Sequence, residues 1–179
     1  MIVVVVDHDP GWAARFAEVG ASLREALGDV AVRIDHIGST SVPGMAAKPI
    51  VDIQVSVASL EPVSVFRDPL VGCGWVYRAE NAERTKRYFR EGPGRPRTHL
   101  HVRQAGSFSE QFALLFRDFL RVDERTAREY ALLKRELAER YREDRHGYTD
   151  AKASFVWEVI RRADGWAQRV GWQPGGSDA

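Results

Sequence analysis

Asp35-His36-Ile37-Gly38-Ser39-Thr40-Ser41-Val42-Pro43-Gly44, followed after two residues by Ala47-Lys48-Pro49-Ile50-Val51-Asp52-Ile53-Gln54-Val55, is the stretch on which the fold turns. The run ending at Ile37 reads as a strand, Gly-Ser-Thr-Ser as a tight turn, and the β-branched run from Ile50 as a second strand that delivers Asp52. Residues 40–51 separate Ser39 from Asp52. Gly38 lets backbone approach an anion with no Cβ in the way, while Ser39, Thr40 and Ser41 offer hydroxyls and consecutive N–H donors. Lys48 supplies charge against phosphate, and Asp52 is placed to hold a divalent ion that bridges phosphate oxygens. Asp52 is therefore the candidate catalytic residue, with Gly38, Ser39, Thr40, Ser41 and Lys48 as ligand contacts. A structural reading stands beside this one. Ser, Thr and Gly commonly satisfy backbone groups in loops, and Lys48-Pro49 also suits strand entry.

Outward from this stretch the apolar period changes in an orderly way. Pro10 precedes Trp12, Phe16, Val19, Leu23 and Leu27, whose helical spacing ends at Gly28. Val30 to Ile37 alternates as a half-buried strand, Ile50 to Val57 is the next, and a helix begins at Ser59 or Glu61 and runs through Leu70. Gly72 and Gly74 break that pattern before a strand at Trp75-Val76-Tyr77, and Lys86 to Arg90 with Thr98 to Arg103 form a hairpin around a Gly/Pro-rich connector. Beyond Ser107 every signal is helical, with caps expected at Ser109, Asp123 and Thr149. The opening Ile2 to Val6 run reads as a strand, and residues 171–179 as a flexible Gly-rich tail. The plan is α+β: a mixed β-sheet with flanking helices and a helical C-terminal half, in one domain over residues 1–170.

Composition narrows the partners. The chain has 179 residues with 44% hydrophobic content, enough for one good core. Lys and Arg number 26 against 25 Asp and Glu, a net charge of +1 that argues against nonspecific attraction to nucleic acid or anionic membrane. The five-residue apolar opening is too short for a membrane span or signal peptide, and the single Cys73 forms no internal disulfide. A cytoplasmic protein with a small-molecule anionic or nucleotide ligand is expected.

Two-metal phosphoryl transfer needs several carboxylates around closely spaced ions. Two residues beyond Asp52, on the same strand face, stands Gln54, which brings an oxygen to a ligand but no charge. His99 and His101 share one face of a later strand, and Asp52 with His99 or His101 composes a metal-ligand set that suits zinc, manganese or iron better than magnesium. Histidines satisfied in a polar crevice are the equal alternative. Tyr148 and Lys152, four residues apart on the last helix, reach one spot and add to the ligand candidates.

His36 to Gly44 with Ala46 to Ile53 resembles the defining motif of the GrpB family, whose members are similar in fold to the nucleotidyltransferase superfamily. The match extends to Asp9-Pro10 with Trp12, His99-Leu100-His101-Val102, Phe116 to Leu120, Tyr130 with Leu133-Lys134, and Tyr148 with Lys152 and Phe155. The resemblance implies a Gly-Ser turn followed by Asp-x-Asp, from which position 54 departs. It also implies a neighbourhood in nucleotide metabolism, since a related domain is attached to some dephospho-CoA kinases. Three readings stand: ligand binding with nucleotidyl transfer, an inactive ligand-sensing or assembly scaffold, and metal-dependent hydrolysis. The divalent ion would be magnesium, manganese or zinc.

Overall fold

The computed structural model describes residues 2–179. α1 (Gly11–Leu27) buries Trp12, Phe16, Leu23 and Leu27 along one stripe and stops at Gly28, whose φ of +51° suits glycine. β1 (Arg33–Ile37), a 3-10 turn (Ser39–Ser41) and β2 (Val51–Val57) follow, then α2 (Ser64–Gly72), β3 (Val76–Tyr77), β4 (Lys86–Arg90) and β5 (Thr98–Gln104). The helical half is α3 (Phe108–Val122), α4 (Glu124–Arg140), α5 (Arg145–Ala151) and α6 (Ala153–Val170). The strands form one sheet in the order β1-β2-β5-β4-β3, with β2 and β5 parallel and the other neighbours antiparallel. The mixed sheet of the α+β plan is thus observed, and β4 and β5 form the expected hairpin.

Strand alternation gives the sheet two chemically distinct faces. Ile34, Ile53, Val55, Leu100, Val102 and Phe89 belong to the core with Phe16 of α1 and Phe66 of α2. Burial of each such side chain contributes about 1.5–3 kcal/mol. The intervening residues, Asp35, Asp52, Gln54, His99, His101, Arg103, Lys86, Tyr88 and Arg90, are polar or charged and project from the opposite face. That face meets the helical half. Val42 and Met45, from the loop after the Gly-Ser turn, pack with Phe119, Leu120, Tyr130, Val159 and Ala163 of the helices. The loop that carries the motif is therefore clamped by the helical core.

Several sequence expectations shift. Ser107 rather than Ser109 caps α3, accepting from Glu110 N, and Asp144 rather than Thr149 begins the last helical section, accepting from Gly147 N. The Ile2 to Val6 run is not a strand: Val6 makes a lone bridge to Ala47, and Val3 N donates to Arg142 O. The tail is laid along β1 instead of loose. Asp178 and Ala179 donate backbone N–H to Ile34 O, and Asp178 Oδ2 accepts from His36 N and Arg117 Nη1. β1 is an edge strand with unpaired backbone groups, and the tail supplies partners that its composition does not advertise.

Candidate functional site

Register brings the site together. β2 and β5 run in parallel with Asp52 opposite His99 and Gln54 opposite His101, so all four side chains rise from one face. Asp52 Oδ1 lies 3.1 Å from His99 Nδ1 and 3.3 Å from His101 Nε2. Burial alone would raise the Asp52 carboxyl, but hydrogen bonds from His101 and His99 overcome it and hold the group well below the usual carboxylate range. Burial pushes His101 down to about 4 against the attraction of Asp52, which keeps its imidazole neutral at physiological pH. Tyr88, facing the same way from β4, packs its ring on both imidazoles, with centroids 5.6 Å from His99 and 5.4 Å from His101. The alternation of Lys86, Tyr88 and Arg90 along β4 was the signal for Tyr88.

The Gly-Ser turn abuts this cluster. Gly38 has φ +72°, and a Cβ there would stand 2.9 Å from Asp52 Oδ2, so glycine is required by conformation and by the close approach of the carboxylate. The three hydroxyls that follow differ in role. Thr40 is buried, its Oγ1 contacting His36 Nε2 at 3.0 Å and donating to Ile50 O, while Ser41 Oγ donates to Gly38 O at 2.6 Å. Both hydroxyls tie the turn together. Ser39 stays partly exposed, within hydrogen-bonding reach of Tyr130. His36 faces the other side, stacked on Phe16 at 4.9 Å, and burial with the nearby Arg121 pushes it down to about 4.

Cations converge opposite Asp52. The Lys48 and Lys152 ammonium groups lie 5.0 and 4.5 Å from the centroid of Tyr148, and Lys134 lies 4.6 Å from that of Tyr130. Lys152 sits at the junction of α5 and α6, so it and Tyr148 are joined through a helical turn rather than one continuous helix. Burial and the charge of Lys48 push Lys152 down to about 8, against the pull of Asp52. Burial and repulsion from Lys152, Arg135 and Lys48 push Lys134 to about 7. Lys48 is lowered by burial and by Arg145. Lys134 donates to Ala46 O at 2.5 Å, which fixes the segment leading to Lys48. Beside Lys48 a cavity of about 210 Å³ is also lined by Arg97 and Arg145. Larger hollows lie elsewhere, such as one of about 630 Å³ between α1 and the β4–β5 connector, but none of these titratable clusters lines it.

Gln54 is held by partners inside the protein. It is fully buried, its Oε1 accepting from Arg103 Nη1 at 2.6 Å and its Nε2 donating to Glu110 O at 3.5 Å. Where the sequence reading gave Gln54 a ligand contact, its neutral amide bridges β5 to α3. Asp35, directly opposite Gln54 across β1, is bound by Arg33 through two hydrogen bonds of 2.6 and 2.7 Å and lies 3.5 Å from Arg117.

A mixed sheet that carries a Gly-Ser turn beside a strand aspartate, backed by a helical half, defines a nucleotidyltransferase-like α+β fold. Among solved structures the Cid1 poly(U) polymerase with Mg 3'-dATP bound shares that fold at a TM-score of 0.53 and 14% identity, over 76% of this chain and 44% of that one. Residues 2–162 match the GrpB protein family, and the chain belongs to it. The crystal structure of the conserved protein GrpB from Enterococcus faecalis superposes at a TM-score of 0.82 with 32% identity, covering 91% of this chain and 99% of that one. The UPF0157 protein YqkA of Bacillus subtilis is 36% identical over 92% of this chain and 48% of its own length. The UPF0157 protein SCO7215 of Streptomyces coelicolor is 40% identical over 88% of this chain and 82% of its own length. A dephospho-CoA kinase of Mycolicibacterium paratuberculosis is 33% identical over 96% of this chain and 48% of its own length. The chain thus spans about half the length of YqkA and of the kinase. No helix among the described residues is long and apolar enough to cross a membrane.

Proposed function

We propose that this chain binds a nucleotide, or an anion of similar phosphate charge, between the polar sheet face and the helical half. Ser39, Lys48 and Lys152 take the phosphates, and Asp52 with His99 and His101 holds a divalent ion beside them. The carrying observation is the charge balance of the cleft. Lys48, Lys134 and Lys152 repel one another while Asp52 is the carboxylate that attracts Lys48 and Lys152. A polyanion relieves that repulsion, and the buried Tyr148 ring holds Lys48 and Lys152 side by side to meet it. Nucleotidyl transfer is the reaction consistent with the fold, with Asp52 as the residue nearest the reacting phosphate.

A non-catalytic ligand sensor is favoured by one specific feature, the engagement of Gln54 with Arg103 where a second carboxylate would serve phosphoryl transfer. Metal-dependent hydrolysis draws its support from the His-x-His strand. The experiment is a thermal-shift and calorimetric screen of nucleoside mono-, di- and triphosphates, followed by incubation with α-labelled triphosphates. Binding at a hundredfold excess over Kd raises the unfolding free energy by about 2.7 kcal/mol. Label moved onto an acceptor supports transfer, free phosphate or monophosphate supports hydrolysis, and saturable binding without turnover supports the sensor. No shift with any phosphorylated compound removes the ligand reading altogether.

A further inference from the structure

The donor set and its surroundings disagree with the paired magnesium ions of phosphoryl-transfer sites. Such a pair needs bridging and flanking carboxylates. Asp35 on the polar face of the sheet and Glu110 on α3 are both already engaged. Asp35 is held by the Arg33 fork, and Glu110 accepts from Gly106 N at 2.6 Å and Gln111 Nε2 at 2.9 Å. At the place of the second carboxylate stands Gln54, and its oxygen is 2.6 Å from the Arg103 guanidinium. A fixed positive charge therefore occupies the position next to Asp52 where a second dication would need an anion, and the two cations would repel.

Asp52, His99 and His101, in contrast, offer one oxygen and two ring nitrogens that all lie within 4.8 Å of one another. Two edges of that triangle measure 3.1 and 3.3 Å. Tetrahedral zinc with bonds of about 2.0–2.1 Å sets its donors roughly 3.3 Å apart, and imidazole donors favour zinc over magnesium. The distal nitrogens, His99 Nε2 and His101 Nδ1, are buried with no hydrogen-bond partner among the described residues. We infer that this triad holds one transition ion of the zinc class, with an open position toward the lysines, and that Arg103 excludes a second ion. The inference rests on the site proposed above but not on the identity of its ligand.

The test omits nucleotide. Chelator-stripped protein is dialysed against zinc, and separately against magnesium, and bound ions are counted by elemental analysis, while the intensity of cobalt(II) d–d absorption distinguishes a low-coordinate site from an octahedral one. One zinc per chain is expected, undisplaced by a thousandfold excess of magnesium. His99→Ala and His101→Ala are each expected to weaken zinc binding at least ~100-fold. Two magnesium ions per wild-type chain would overturn the inference, and so would failure to bind zinc, manganese or cobalt at neutral pH. Nucleotide titration in excess chelator tests the lysine cleft separately, so the two ideas fail independently.

Discussion

The Lys48 and Lys152 side chains share a single aromatic wall: both ammonium nitrogens stand within 5.0 Å of the Tyr148 ring centroid, although the residues are far apart in sequence and repel each other. Like charges held this close raise the energy of the unliganded fold, so their removal and their neutralisation by a ligand have opposite signatures. Lys152→Met is expected to raise thermal stability slightly and to weaken nucleoside triphosphate binding about 10- to 100-fold, the worth of one charged hydrogen bond. Calorimetry with parallel melting curves checks it. Unchanged affinity in both Lys48→Met and Lys152→Met would show that the phosphates lie elsewhere.

Ligand binding near these amines also moves protons. An anion raises the ammonium pKa, and Lys152, lowered to about 8 by burial and Lys48, then takes up a fraction of a proton near pH 8. Titrations in buffers of different ionisation enthalpy measure that uptake, which Lys152→Met should reduce, with Lys134 supplying the remainder.

The turn hydroxyls separate by role. Thr40→Val leaves Ile50 O and the His36 ring without their partner in a buried place, at a cost of about 1–3 kcal/mol. Ser39→Ala should cost little stability and lower anion affinity instead. Urea denaturation beside calorimetry distinguishes the two; a ligand defect confined to the Thr40 variant would contradict the assignment of Ser39.

Gly38→Ala joins two penalties. At φ +72° an L-residue is strained, and its Cβ would meet Asp52 Oδ2 at 2.9 Å. A loss of about 1–3 kcal/mol is expected. Displacement of the carboxylate should also reduce zinc uptake, a readout that strain alone would not change.

Two pH windows follow from groups whose folded pKa is depressed. His36 lies near 4 in the fold against 6.5 for an ordinary imidazole, through burial and Arg121. Between those values the unfolded chain binds more protons, so stability rises with pH by up to about 3 kcal/mol and is fully present above pH 6.5. Lys134 lies near 7 against 10.5, chiefly through burial, so stability rises again from pH 7 toward 10.5. Guanidinium denaturation from pH 4 to 10 should show both slopes, the acid one reduced but not abolished in His36→Asn because His101 contributes in the same window, and the alkaline one reduced in Lys134→Met with Lys152 supplying the remainder.

The one-dimensional chain determined the order of elements, the two-strand frame around the Gly-Ser turn and the facing of His99 with His101. These follow from periods of 2 and 3.6 and from turn chemistry, which act over a few residues. It did not reveal that Thr40 and Ser41 bond inward, because a hydroxyl's partner depends on what packs over it. Lys134 stood out only as part of the Tyr130 with Leu133-Lys134 resemblance, and the packing of α4 over the Ala46 loop is what makes it a buried cation. The tail looked loose because its composition cannot show that β1 is an edge strand in need of partners. Gln54 was visible as a missing carboxylate, but the reason lay 49 residues away in Arg103. Local sequence fixes which side a residue faces. Tertiary packing decides what it meets there, and for charged and hydrogen-bonding groups that meeting sets both ionisation and access to a ligand.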